Sequence, residues 1–268
     1  MYDERDSRAT PVRTQIQRLY EMRGIVPTRI GYRCASLPQC TEAGRISLHT
    51  GNWVFVGSEY GSAEVSGLAA KILFVAMDRG GYGGADEERF ADAQSAFRRA
   101  IELPQNPHMG GAALMLKHLT DERDPRKLSG LCALTNAVKC AQHTGSMTTN
   151  ATPQMIAQCA AHLRAEIHEL QPDIVITQGG HPTDTILATI AGLRTVAEFA
   201  GERKGRTRVL VNSRIVVLTT PHPARQEGLK WSRGILPQFF LDAISVARGE
   251  LILLLQQRQA SGDSPEGA

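Results

Sequence analysis

The chain has 268 residues, 42% hydrophobic and 21% charged, which is ordinary for a globular protein and enough to bury a sizeable core. Its formal net charge of +3 and sequence pI near 8.7 are mildly basic and compatible with a polyanionic partner. No apolar run approaches the ~20 residues of a membrane span, and MYDERDSRAT at the N-terminus has no apolar signal core. A cytoplasmic protein is therefore expected, and its five cysteines point to metal, catalysis or burial rather than disulfides.

Residues 1–12 are charged and read as a frayed tail. A short helix is predicted over Thr14–Met22, with Ile16, Leu19 and Tyr20 on one side. Cys34 and Cys40 flank a predicted loop containing Pro38. A Gly- and Ser-rich stretch over 44–67 surrounds the run WVFV, an outer strand or hairpin. Lys71–Met77 (KILFVAM) is a buried strand. It ends in Asp78-Arg79-Gly80-Gly81-Tyr82-Gly83-Gly84, a loop suited to close backbone approach. Helices are predicted over Phe90–Leu103 and Gly110–Leu119. Leu131–Val138 is a second buried strand with Asn136 at its carboxyl end, where ligands bind in open α/β sheets.

Thr152-Pro153 then opens a helix, Thr as N-cap and Pro at the first helical position. Ile156, Cys159, Leu163, Ile167 and Leu170 are predicted to share its apolar face, and Pro172 stops it. Asp173–Thr177 is a third buried strand ending at Gly179-Gly180, and a helix follows over Pro182–Ile190. Arg208–Asn212 and Arg214–Thr219 are strands, a candidate hairpin, leading to Pro221-His222-Pro223 and a basic loop. Leu236–Gln257 is a C-terminal helix, and 259–268 reads as a disordered tail.

This alternation specifies one α/β domain over 1–258: a three-layer αβα sandwich with a central, mainly parallel, four-stranded sheet. Strand ends at Asp78, Asn136, Gly179 and His222 then lie along one edge.

Each candidate residue has two readings. Asp78 is a general base or electrostatic stabiliser, or equally a turn cap. His222, held between two prolines, is functional or structural. Asn136 offers a donor and an acceptor side by side, matching a nucleobase edge, or it bonds loop amides. Phe90 is a stacking platform or core. Arg225, Lys230 and Arg233 hold phosphates or form a solvated face. Cys34, Cys40, Cys140 and Cys159, from two distant loops, could hold a [4Fe–4S] cluster, or all five cysteines are buried free thiols. Cys132, inside a strand, reads as a small hydrophobe. The loop at 80–84 lacks both the dinucleotide and the P-loop registers.

In this order the motifs resemble the uracil-DNA glycosylases over roughly residues 34–245, most closely the iron–sulfur branch (families 4 and 5). The matching segments are FVAMDRGG, Phe90, LTNAVKC, TPQMIAQC, PDIVITQGG and TTPHPAR. Two departures stand out. The first two cysteines are spaced C-x5-C, wider than that branch usually has. Met77 takes the place of its usual Glu, whereas Asp78 falls where the classical family 1 enzymes carry their catalytic Asp.

The resemblance implies a DNA repair glycosylase that excises uracil or another deaminated base by hydrolysis and leaves an abasic site. Asp78 and His222 are then catalytic, and Asn136, Phe90, Gly80 and Tyr82 bind the substrate. Arg225, Lys230 and Arg233 hold the DNA backbone. Cys34, Cys40, Cys140 and Cys159 ligate a structural [4Fe–4S] cluster. The partner is uracil-containing DNA, and the protein is a monomer. Two alternatives stand beside it: a non-catalytic iron–sulfur nucleic-acid-binding protein on the same fold, and an unrelated α/β hydrolase with buried cysteines.

Overall fold

Four short apolar runs form the parallel centre of the sheet in the computed structural model, which describes residues 10–28, 31–40, 47–51, 54–77, 107–143, 151–200, 206–222 and 236–262. They are β7 (Ile72–Ala76), β8 (Cys132–Asn136), β10 (Ile174–Gln178) and β13 (Val216–Thr220). Nearly every residue in them is buried, as expected for strands covered on both faces. Their order is β13-β10-β7-β8. Three antiparallel strands widen the expected four-stranded sheet to seven. β4 (Phe55–Val56) pairs with β8 on one side. On the other, β12 (Arg206–Val211) pairs with β13, and β11 (Arg194–Ala200) forms the edge.

Alternation along the strands sends side chains to two separate cores. Ile72, Phe74, Cys132, Ile174, Ile176 and Leu218 face one layer, made of α3 (Pro107–Leu119), α4 (Pro125–Leu128) and α7 (Gln238–Ser261). Leu73, Val75, Ala133, Val175 and Val217 face the other, made of α1 (Thr10–Met22), α5 (Pro153–Leu170) and α6 (Gly180–Thr189). The result is the expected αβα layering. Burying one such side chain contributes about 1.5–3 kcal/mol, so the two cores dominate the fold.

Small hairpins complete the chain: β1 (Val26–Thr28) with β2 (Gly31–Arg33), and β5 (Ala63–Val65) with β6 (Leu68–Ala70). β3 (Ser47–Gly51) pairs with β9 (Cys140–His143). The segment expected as a loop between Cys34 and Cys40 contains a turn of helix, α2 (Leu37–Cys40).

Helix α5 spans the predicted residues. Thr152 is extended at φ −75°, ψ 157°, and its Oγ1 accepts from the Met155 N–H at 3.2 Å. Helix α1 starts at Thr10, four residues before the expected start. Helix α7 continues to Ser261, past the expected end, and is stopped by left-handed Gly262 (φ 73°). The predicted helix over 90–103 lies outside the described residues. Among the described residues, no helix is long and apolar enough to cross a membrane.

Candidate active site

The carboxyl ends of the four parallel strands form one row. Asn136 pairs with Ala76 and Gln178 with Thr220, and the Val75–Thr177 pair ties the two into register. Past the row, the Ala137 N–H donates to the Ala76 carbonyl at 2.7 Å and the Val138 N–H to the Met77 carbonyl at 2.9 Å. The chain entering Asp78 is therefore held beside the chain leaving Asn136. Three strand spacings separate β8 from β13, roughly 14 Å of sheet edge. Asn136 and His222 thus stand at the same edge of the sheet, on β8 and just past β13.

Asn136 is 7% exposed, so its side-chain amide is almost removed from water. A polar group so placed gains most from a partner that satisfies both its donor and its acceptor. His222 is half-buried at the end of β13. Its seat is Gly179, which has φ 112° and ψ 172°, a conformation confined to glycine. A Cβ built on Gly179 would lie 3.4 Å from both Cβ and Cδ2 of His222. The Gly179 N–H donates to the Thr220 carbonyl at 2.9 Å, and Thr220 Oγ1 donates to the Thr177 carbonyl at 2.7 Å. These bonds tie the β10 and β13 ends together beneath His222.

Three cysteines gather behind Asn136. Cys40 on α2 and Cys159 on α5 are both 4% exposed, and Cys34 is half-buried. The Cys40 thiol is pushed up to about 11, first by burial, then by the negative charge that Cys159 and Cys34 would carry. Cys140 opens β9, and the Lys139 N–H just before it donates to Cys159 Sγ at 3.4 Å. Cysteine thiols are the donor type that an iron–sulfur cluster uses. Among the described residues, no group of three or more His, Cys, Asp or Glu could hold a metal ion. Cys132 packs on the opposite sheet face, its thiol pushed up to about 12 by burial alone. His162 on α5 places Nε2 3.8 Å from Cys34 Sγ, while its Nδ1 is buried with no protein partner.

Residues 64–241 match the family model described as the uracil DNA glycosylase superfamily, more than half of the chain. The chain belongs to the uracil DNA glycosylase superfamily. No curated protein matches it. Superfamily membership makes the chain a DNA glycosylase in general terms, a hydrolase of DNA repair with DNA as its partner. The matched stretch holds the whole row from Ala76 to Thr220 together with Gly179 and His222.

The glycosylase fold brings Asn136, Gly179 and His222 to one edge, and Cys40 lies near enough to Cys159 and Cys34 for their charges to interact. Asp78, Gly80, Tyr82, Phe90, Arg225, Lys230 and Arg233 lie outside the described residues, so their placement rests on sequence. The sequence reading missed two buried charged groups, one on α5 and one between β8 and β9. Lys139 and Glu166 side chains are both 0% exposed and pair at 2.6 Å. The face of α5 is accordingly turned from the expected one: Met155, Cys159, His162, Leu163, Glu166 and Leu170 are buried, whereas Ile156 and Ile167 are half-buried. The available signal was Lys139 itself, the one charge in the run LTNAVKC.

Proposed function

We propose that this superfamily member excises uracil from DNA, with Asn136 as base reader, Asp78 as the group that activates water, and His222 as the stabiliser of the departing base. The observation that carries the reading is the row of strand ends, which sets Asn136 and His222 on one edge of the sheet. The base must leave the helical stack to reach it, at a cost of a few kcal/mol. Phe90 stacks on the flipped ring, and Gly80 and Tyr82 are the further substrate-binding residues.

Asn136 Oδ1 accepts from N3–H of uracil while Nδ2 donates to O4. Cytosine presents an acceptor at N3 and a donor at N4, so both contacts fail, each at about 1–3 kcal/mol. The C1′–N1 bond then breaks heterolytically, its electron pair passing into the uracil ring. His222 stabilises the charge that develops at O2. Asp78 stabilises the oxocarbenium-like sugar, orients the water that adds to C1′ and takes its proton. Arg225, Lys230 and Arg233 hold the strand backbone, so binding weakens as salt rises.

Cys34, Cys40, Cys140 and Cys159 would hold a [4Fe–4S] cluster, whose contribution is structural, pinning the loop after Asn136 to the N-terminal segment. The protein acts as a monomer in the cytoplasm, with 1–258 as one domain. The test is incubation with oligonucleotides that each carry one modified base, followed by alkaline cleavage at abasic sites. Cleavage at uracil is expected. Cleavage at another deaminated base alone would move the specificity, and cleavage at none would remove the reading.

A further inference from the structure

A buried polar network that the proposed reaction does not use lies beside the base reader, inside an apolar layer. Lys139 Nζ donates to Thr135 Oγ1 at 2.7 Å, to the Asn136 main-chain carbonyl at 2.5 Å and to Glu166 Oε2 at 2.6 Å. An ammonium has three donors, and all three are satisfied. Glu166 Oε2 also accepts from Thr135 Oγ1 at 2.7 Å, and Glu166 Oε1 accepts a short bond from the Tyr20 hydroxyl. That hydroxyl in turn accepts from the Val54 N–H at 2.9 Å. Tyr20, Glu166 and Lys139 are all essentially buried.

We infer that Lys139, Glu166 and Tyr20 are positioning residues: a buried clamp that grips the main chain of Asn136 and ties it to helix α1. The inference rests on the reading of Asn136 as base reader. Helix α1 and Val54 lie outside residues 64–241, so the clamp joins the matched stretch to a segment that precedes it.

Stability alone is a poor account of this pair. Two charges taken out of water lose their hydration, and a well-packed apolar pair of similar volume is often as stable or more so. An apolar pair cannot, however, donate to the Asn136 carbonyl. The described part of β4 pairs with β8 only at Leu134 and Ala133, so Lys139 supplies a hydrogen bond just where the strand runs on beyond that ladder. The same residue reaches α5 through its main chain as well, by the bond to Cys159 Sγ. With its backbone held from β7 on one side and by Lys139 from below, Asn136 presents its amide at a fixed angle. Angular precision of that kind is what a two-point base contact requires.

The test separates support from positioning by comparing Lys139→Met with the double variant Lys139→Met/Glu166→Met. The single variant strands the Glu166 carboxylate and is expected to lower Tm. The double variant removes both charges and is expected to recover most of that loss. Hydrogen exchange over residues 134–139 should nevertheless stay about tenfold or more faster than in the parent. Single-turnover cleavage of uracil-containing DNA should stay about 10- to 100-fold slower, with DNA affinity unchanged. Tyr20→Phe should shift exchange and cleavage in the same direction by a smaller factor.

A double variant with parental exchange and parental cleavage would reduce the pair to packing and overturn the inference. Parental values in Tyr20→Phe would remove α1 from the clamp. Asn136→Ala in the same assays keeps the two proposals apart. Normal cleavage by Asn136→Ala defeats the base-reader reading, while the exchange measurement still decides the clamp.

Discussion

Gly179→Ala probes the seat of His222 directly. At φ 112° and ψ 172° an L-residue is strained by about 1–3 kcal/mol. The added methyl would touch Cβ and Cδ2 of His222 at 3.4 Å, close to ordinary contact, so backbone strain rather than collision sets the cost. The Gly179 N–H bond to the Thr220 carbonyl resists the rotation that would relieve the strain. Any relief that does occur moves Thr220 and therefore His222, two residues on. For a protein of this size, the strain corresponds to a fall in Tm of roughly 2–12 °C. If His222 stabilises the departing base, its displacement should slow single-turnover cleavage about tenfold, equivalent to about 1.4 kcal/mol of lost transition-state stabilisation. Gly180→Ala is the control. A Cβ there meets nothing within 4 Å, and the residue begins α6, so Tm should move by no more than about 0.5 kcal/mol equivalent. Thermal melts and single-turnover assays on both variants decide the matter. A Gly179→Ala protein with parental Tm and parental cleavage would refute the reasoning.

Asn136→Asp should lower uracil excision by about 10² or more, since a carboxylate cannot donate to O4 and repels the growing ring charge; near-normal excision would place base reading elsewhere. Asp78→Asn should slow single-turnover cleavage by about 10² to 10⁴ while DNA affinity holds or improves, whereas a turn-capping role would leave the rate nearly intact, because Asn caps as well as Asp. Cys132→Ala should keep full iron content and Cys40→Ala should lose it, as measured by iron analysis of purified protein; the reverse result would reassign the ligands. Asp173 carries a pH prediction. Burial holds its carboxyl above the usual range, outweighing the Lys71 N–H at 2.7 Å and a partly exposed, screened Arg258. A raised folded pKa means that its contribution to stability is present below the unfolded pKa and lost as pH rises through the folded value. Tm of the parent relative to Asp173→Asn should therefore fall between acid and neutral pH, and a difference that rises instead would contradict the assignment.

Much of the local structure could be read from the chain. The Thr152-Pro153 cap, the apolar runs of β7, β8 and β10, and Asn136 at a strand end are short-range features, each set by a few neighbouring residues. The placing of Asn136, Gly179 and His222 on one edge followed from a general property of parallel sheets. Other features were not legible. β11 (RTVAEFA) is an edge strand with one hydrogen-bonded neighbour and no buried stripe, and β4 is only two residues long. Neither leaves a periodic signal, because packing on neighbouring strands forms them rather than their own pattern. Lys139 and Glu166 stand 27 residues apart and each, taken singly, reads as a solvated charge. Only the fold, by laying α5 across the end of β8, turns them into a buried pair. Sequence thus determined the elements and the chemistry at their ends. Tertiary packing decided their order across the sheet and which charges could lose their water, because both depend on partners distant along the chain.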